Sequence, residues 1–188
     1  MEDGFVTITR VNAQSTYPSR FMLICSMNPC PCGNYGSRTK PCRCTQADIK
    51  RYLNCISGPL LDRIDLHVEV ESIPPERIAD DTLEETSAQI RERVEAARAV
   101  QRARYQNEGI LCNARLDARN INEYCRMTDA ARTMLMKACD TLRLSNRAFT
   151  RILKVSRTIA DLAGSEIIEV NHVAEAVQYR ALDRKYWG

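Results

Sequence analysis

The chain has 188 residues, 44% of them hydrophobic and 27% charged, and a formal net charge of +3. This is the composition of a globular protein large enough to bury a core. No run of 18 apolar residues occurs, which excludes a transmembrane helix, and the opening residues have neither the basic nor the apolar region of a signal peptide. The net charge is also too small to mark the whole chain as a nucleic-acid binder.

Residues 5–11 alternate and are rich in β-branched side chains, which predicts a strand. Residues 20–27 contain a near-continuous apolar run, the pattern of a strand buried on both faces. Asn28 and Pro29 end it, and residues 29–44, rich in Pro, Gly and Cys, form a loop. Residues 45–56 read as a helix with Thr45 as N-cap and with Ile49, Tyr52, Leu53 and Ile56 on one face. Ser57, Gly58 and Pro59 interrupt it, a short turn follows at 60–63, and the alternation over 64–70 predicts a strand with one covered face.

Ile73, Pro74 and Pro75 form the natural hinge, and everything beyond reads helical. The expected helices are 84–106, with Thr82 or Ser87 near its start and Gly109 as its stop; 117–125; 129–142, capped by Thr128; 146–163, capped by Ser145 and ended by Gly164; and 172–185, capped by Asn171. Ile152, Val155, Ile159 and Leu162 make the core stripe of the fourth. The expected class is therefore α+β: strands to about residue 72, then a helical bundle. A strand buried on both faces needs parallel neighbours, and the chain has no βαβ crossover to provide them, so a domain with strands further upstream is expected.

Three places could carry chemistry. Asn28, at the carboxyl end of an apolar strand, either orients a water against a phosphate or starts a turn. Arg63, on the rigid Gly-Pro corner, either projects into a neighbouring subunit or pairs with Asp62 or Asp65 at the surface. Arg147 lies in the first turn of a capped helix, where free N–H groups and the helix dipole favour anions, and Arg151 follows one turn later; the alternative is an ordinary solvated face. The arginine-rich stretch at 91–104 (Arg91, Arg93, Arg98, Arg102, Arg104) is either a solvated helix face or a phosphate contact.

Nine cysteines without an export signal point to the cytoplasm and to metal binding before disulfides. Cys30, Cys32, Cys42 and Cys44 place four thiols on one loop, enough to close a tetrahedral structural Zn²⁺ site with no open position for a catalytic water. The Cys-x-Cys spacing is tighter than the usual Cys-x₂-Cys, and free thiols in a Gly/Pro-rich loop are the alternative.

The order Met-Asn-Pro, then Gly-Pro-Leu-Leu-Asp-Arg-Ile-Asp, then Ser-Asn-Arg-Ala leading into Lys-Val-Ser-Arg-Thr-Ile-Ala-Asp-Leu resembles the magnesium-chelatase-type AAA+ ATPases. The Asn-Pro-Cys-Pro-Cys-Gly run is similar to the ComM/YifB branch. The resemblance implies the C-terminal remnant of a P-loop α/β core over residues 1–73, followed by an all-α lid over 74–188. It implies a hairpin over residues 2–20, Asn28 as the sensor-1 residue, Arg63 as an arginine finger acting in trans, and Arg147 as the sensor-2 arginine. Arg151 would share that duty or steady Arg147. ATP and Mg²⁺ are the implied cofactors of the intact protein. Its implied partners are its own N-terminal ATPase half, a ring of like subunits, most simply a hexamer, and DNA, remodelled by branch migration. No membrane partner is expected. One departure is large: neither G-x-x-x-x-G-K-[ST] nor an apolar strand ending in Asp-Glu is present, so this stretch alone is expected not to hydrolyse ATP. The competing class is a non-enzymatic zinc-and-helix module for nucleic acid or protein.

Overall fold

A computed structural model of the chain describes residues 4–11, 13–71, 73 and 84–180. Two compact units are present, Met1–Tyr52 and Leu53–Gly188. Pro74 and Pro75 of the expected hinge, the candidate cap Thr82 and the final turns at 181–185 lie outside the described residues.

In the first unit, β1 (Phe5–Arg10) and β2 (Ala13–Pro18) pair antiparallel from Phe5↔Pro18 to Arg10↔Ala13, forming the expected hairpin. Thr7 and Thr16 join their hydroxyls across it at 2.9 Å. Residues 20–27 are not a strand, contrary to expectation: they join no ladder among the described residues, and Met22 and Ile24 are 84% and 81% exposed. Residues 64–70 likewise form no strand, apart from one backbone bond from the His67 N–H to the Tyr179 carbonyl at 3.0 Å. The reason is physical: apolar patterning makes a segment competent for a sheet, but only a neighbouring backbone makes it a strand.

Helix α1 (Gln46–Leu53) ends earlier than expected. Its start is well determined. The Thr45 hydroxyl accepts from the Asp48 N–H at 3.2 Å, and the Asp48 carboxylate accepts from the Thr45 N–H at 3.3 Å, a reciprocal cap.

The second unit begins with the four-residue α2 (Gly58–Leu61), where the sequence suggested only a turn. Then come α3 (Ser87–Arg104), α4 (Ile121–Tyr124), α5 (Asp129–Leu142), α6 (Asn146–Leu162) and α7 (Val170–Gln178). Thr128 and Ser145 cap α5 and α6 as expected, accepting from the N–H groups of Ala131 and Ala148, both at 3.2 Å. Two caps differ from expectation. Thr86, paired with Gln89, caps α3, and Glu169, paired with His172, caps α7 in place of Asn171. A polar residue on either side of the right position fits the local pattern equally well, so sequence does not separate them.

The core gathers Tyr105, Leu116, Ile121, Leu135, Ile152, Leu153, Ile168 and Val173; α6 packs against α3, α4 and α7, and α5 packs against α7. Burial on α6 centres on Ile152, Leu153, Ser156, Arg157, Ala160 and Asp161, whereas Leu162 of the expected stripe is 45% exposed. The buried face thus includes an ion pair that sequence did not single out. The Asp161 carboxylate accepts from both terminal nitrogens of Arg104 (3.0 and 2.5 Å), from the Asn113 amide (2.7 Å) and from Nε of Arg157 (3.1 Å). Arg157 also donates to the Glu166 carbonyl at 2.7 Å and to that of Ser165, which holds the turn after α6. The hydrogen bond to Asp161 holds the Arg104 guanidinium well above its ordinary pKa, so it stays charged.

Breaking a buried pair by deleting one partner leaves an uncompensated charge, at a cost of about 3–5 kcal/mol. Asp161→Ala is therefore expected to destabilise the bundle by about that amount. Asp161→Asn, which keeps two of the acceptor contacts, should cost visibly less. Urea denaturation followed by circular dichroism measures both; equal stability of all three proteins would contradict the assignment.

Candidate arginine site and four-thiol centre

Arg63 stands on a corner built by local backbone bonds. The Ser57 carbonyl accepts from the N–H groups of Leu60 and Leu61 at 3.0 and 3.1 Å, the Asp62 N–H donates to Gly58 at 2.9 Å, and that of Arg63 to Leu60 at 3.0 Å. Pro59, in the first turn of α2, fixes the backbone there. Only Leu61 of this helix is buried, so hydrophobic burial alone does little to hold the corner.

A guanidinium from the far end of the unit holds it instead. Arg180, 2% exposed, donates to the carbonyls of Ile64 (2.5 Å) and Leu61 (3.3 Å) and to Oδ1 of Asp62 (3.4 Å). The other oxygen of Asp62 accepts from the Ser145 hydroxyl at 3.0 Å. Ser145 is the N-cap of α6, so Asp62 joins the corner that bears Arg63 to the helix start that bears Arg147. A second tie runs from Arg151, one turn along α6, to the Asp65 carboxylate just past the corner. The side chain of Arg63 folds back to donate from Nη1 to the Pro59 carbonyl at 2.8 Å.

The carboxylates of Asp62 and Asp65 thus bond to Arg180, Ser145 and Arg151, and the corner is knit into the bundle through them. Arg147 is exposed in the first turn of α6, at the positive end of the helix dipole. Arg151 has a side chain only 18% exposed and lies against Asp65, a position suited to bracing the helix start. Asn28 belongs to the other unit, where it is exposed and its amide lies 3.8 Å from the point a side chain on Gly33 would occupy. Sequence reasoning missed Asp62, Asp65 and Arg180 as a positioning set. The local motif contains both aspartates, but Arg180 stands 118 residues from Asp62, and nothing local announces that contact.

The four cysteines of the loop converge. Their sulfur atoms all lie within 4.8 Å of one another. Three of the separations are 3.4 Å (Cys30 to Cys32), 3.7 Å (Cys30 to Cys42) and 3.6 Å (Cys32 to Cys42). A tetrahedral centre with metal–sulfur bonds of about 2.3 Å has sulfur–sulfur edges of about 3.8 Å, so the cluster fits such a centre and could hold a metal ion. All nine thiols are free, so no disulfide competes for these sulfurs. Two tight turns make the approach possible. Gly33 at φ +78° returns its N–H to the Cys30 carbonyl at 3.0 Å, and Gly36, also at +78°, is followed by a bond from the Ser37 N–H to Asn34 at 3.1 Å. Backbone N–H groups of Arg43 and Asn34 pull the Cys32 thiol down to about 6, while burial pushes that of Cys44 up to about 12. Hydrogen bonds to a thiolate sulfur are what a ligating cysteine needs, and a metal would displace the remaining protons.

Removing Arg180 leaves two carbonyls and a carboxylate without this donor. Arg180→Ala is expected to destabilise the unit by about 1–3 kcal/mol and to speed amide exchange most at residues 60–67. Exchange that rises evenly over the whole bundle instead would mean that Arg180 does not act on the corner.

Residues 1–78 match the family model of magnesium chelatase subunit ChlI, and residues 84–180 match that of the ChlI C-terminal region. The competence protein ComM of Haemophilus influenzae is 44% identical over 188 residues, 98% of this chain and 35% of its own length. The uncharacterised protein YifB of Escherichia coli is 44% identical over 186 residues, again 98% of this chain and 35% of the relative. An uncharacterised protein of Mycobacterium tuberculosis is 36% identical over 180 residues. The chain therefore spans about 35% of the length of these relatives. With both regions matched in order, the chain belongs to the magnesium chelatase ChlI family, alongside relatives of the ComM and YifB type.

Proposed function

We propose that this chain is the arginine-bearing part of an ATP-driven motor of the AAA+ type that remodels DNA. Residues 1–73 complete the ATPase core and residues 74–188 form its lid. An upstream half holds ATP and Mg²⁺, and ATP lies between subunits of a ring, most simply a hexamer. Arg63 reaches the γ-phosphate held by the neighbouring subunit, Arg147 reads the nucleotide of its own subunit, and Asn28 orients the attacking water. A planar guanidinium suits this duty, because charge spreads over the phosphoryl oxygens during transfer. DNA as the substrate fits the competence name of one relative. The motor works in the cytoplasm; no described helix is long and apolar enough to cross a membrane.

The observation that supports this reading best is the double tie at the corner. Asp62 bonds both Arg180 and the cap of α6, and Asp65 bonds Arg151. A finger for one nucleotide and a sensor for the next would thereby move as one piece, which is how a ring passes the state of one site to another.

The zinc-and-helix alternative loses part of its support. Among the five arginines of α3, Arg104 turns inward to Asp161, Arg93 pairs with Glu85 at 2.5 Å and Arg102 with Glu95 at 3.5 Å. Its metal half remains, and the motor reading includes it: zinc bound by Cys30, Cys32, Cys42 and Cys44 stiffens the loop as a structural centre.

Two outcomes are expected. In the protein that joins this chain to its phosphate-binding half, Arg63→Ala and Arg147→Ala should each suppress ATP turnover, the former by about 10³-fold or more. Mixing the two variants should restore part of the activity, because some interfaces then combine an intact finger with an intact sensor. Two defects that stay additive in the mixture would contradict the division into trans and cis roles. Metal analysis of never-chelated protein should find one zinc per chain, lost in Cys42→Ser; a ratio well below one removes the metal centre.

A further inference from the structure

The modest overall charge hides a segregation. Residues 4–52 carry Arg10, Arg20, Arg38, Lys40, Arg43, Lys50 and Arg51 against a single carboxylate, Asp48. With the whole chain at +3, everything outside this segment is net acidic. Five of the seven cations lie on the cysteine loop or on α1 directly after it, and all five are exposed. The one carboxylate is already engaged: Asp48 accepts from the Thr45 hydroxyl at 2.6 Å and from its N–H at 3.3 Å, and its other oxygen lies 3.9 Å from Arg51. These bonds, foremost that of the Thr45 hydroxyl, hold its carboxyl below the usual range, so it stays an acceptor for α1.

We propose that the four-thiol loop is a nucleic-acid contact, in which the metal centre holds Arg38, Lys40 and Arg43 in place to meet a phosphodiester backbone, with Lys50 and Arg51 of α1 extending the same positive strip. This rests on the reading that the four cysteines hold a metal. The positions of the cations relative to the thiols support it. Arg38 and Lys40 lie between the two Cys-x-Cys pairs, and Arg43 lies inside the second pair. Closing the metal site therefore fixes the backbone on both sides of each cation, and the turns at Gly33 and Gly36 do the same for the other arm. A loop ordered in advance loses less entropy on binding than a free one. A metal held by four thiolates would carry a charge of about −2, whereas the five cations are exposed to solvent. The strip has no carboxylate other than Asp48 to repel a polyanion, which distinguishes it from α3, where glutamates interleave with the arginines.

A phosphate backbone is favoured over an acidic peptide because the cations are spread along a loop and a following helix. Evenly spaced single charges match that arrangement, and their neutralisation releases counterions. The contact is expected to be insensitive to base sequence, since long cationic side chains position nucleic acid and do not read it.

The test uses the chain with its zinc content measured first. Fluorescence anisotropy with 20-mer single-stranded and duplex DNA over a salt series gives the slope of log Kobs against log[salt]. The triple variant R38Q/K40Q/R43Q should keep zinc and helix content, flatten that slope by about 2–3 and weaken binding at least tenfold near 0.1 M salt. Cys42→Ser should lose zinc and weaken binding with the cations still present. If the parent chain holds zinc and the triple variant binds DNA as well as the parent does, the contact is overturned while the metal reading stands. If the chain holds no zinc, the metal reading fails and the inference fails with it. Equal, equally salt-sensitive binding of poly-glutamate would overturn the assignment to nucleic acid.

Discussion

The guanidinium of Arg180 is the joint on which the arginine site depends. The corner at 57–65 has one buried apolar side chain, Leu61, and cannot be held by the hydrophobic effect alone. Arg180 compensates by donating to two carbonyls at the end of the corner and to Asp62, whose other oxygen accepts from the cap of α6. A buried guanidinium is costly unless it is hydrogen-bonded, and the bonds that its two terminal nitrogens make to the corner offset part of that cost.

The second unit turns several of its charges inward. Asp161 collects Arg104, Arg157 and Asn113 at the centre of the bundle, and Asp65 takes Arg151. Planar, forked guanidinium groups suit this work because each can bond several acceptors at once. Arg147 is exposed at a helix start. The first unit does the opposite and displays its cations to solvent around a cluster of thiols. The two patterns make different demands on a partner. An ordered arginine on a braced corner suits one compact anion, and a strip of exposed cations suits a long one.

What sequence made legible was local. Thr128 and Ser145 were identifiable as caps because a cap is decided by residues within one turn of it, and the helices that follow ran as expected. The four-thiol cluster was legible because all its ligands lie within 15 residues of one loop. The strands at 20–27 and 64–70 failed because a strand is a statement about a neighbour, and a segment's own pattern holds no record of whether that neighbour is present. Nothing local in the sequence marks Arg157 and Asp161 as buried: i and i+4 charges look the same whether they face water or α3. For the candidate site, Arg63, Arg147 and the cysteines were visible, whereas Arg180 was not, because the contact that gives it meaning spans most of the unit.

The most direct test of the central claim is a cryo-EM reconstruction of the proposed assembly, in which this chain is joined to a phosphate-binding half, in the presence of a non-hydrolysable ATP analogue. The account predicts Arg147 of one subunit and Arg63 of the adjoining subunit on the same triphosphate, with the Asp62 to Arg180 contact intact in both. A map in which Arg63 faces away from every nucleotide would contradict it.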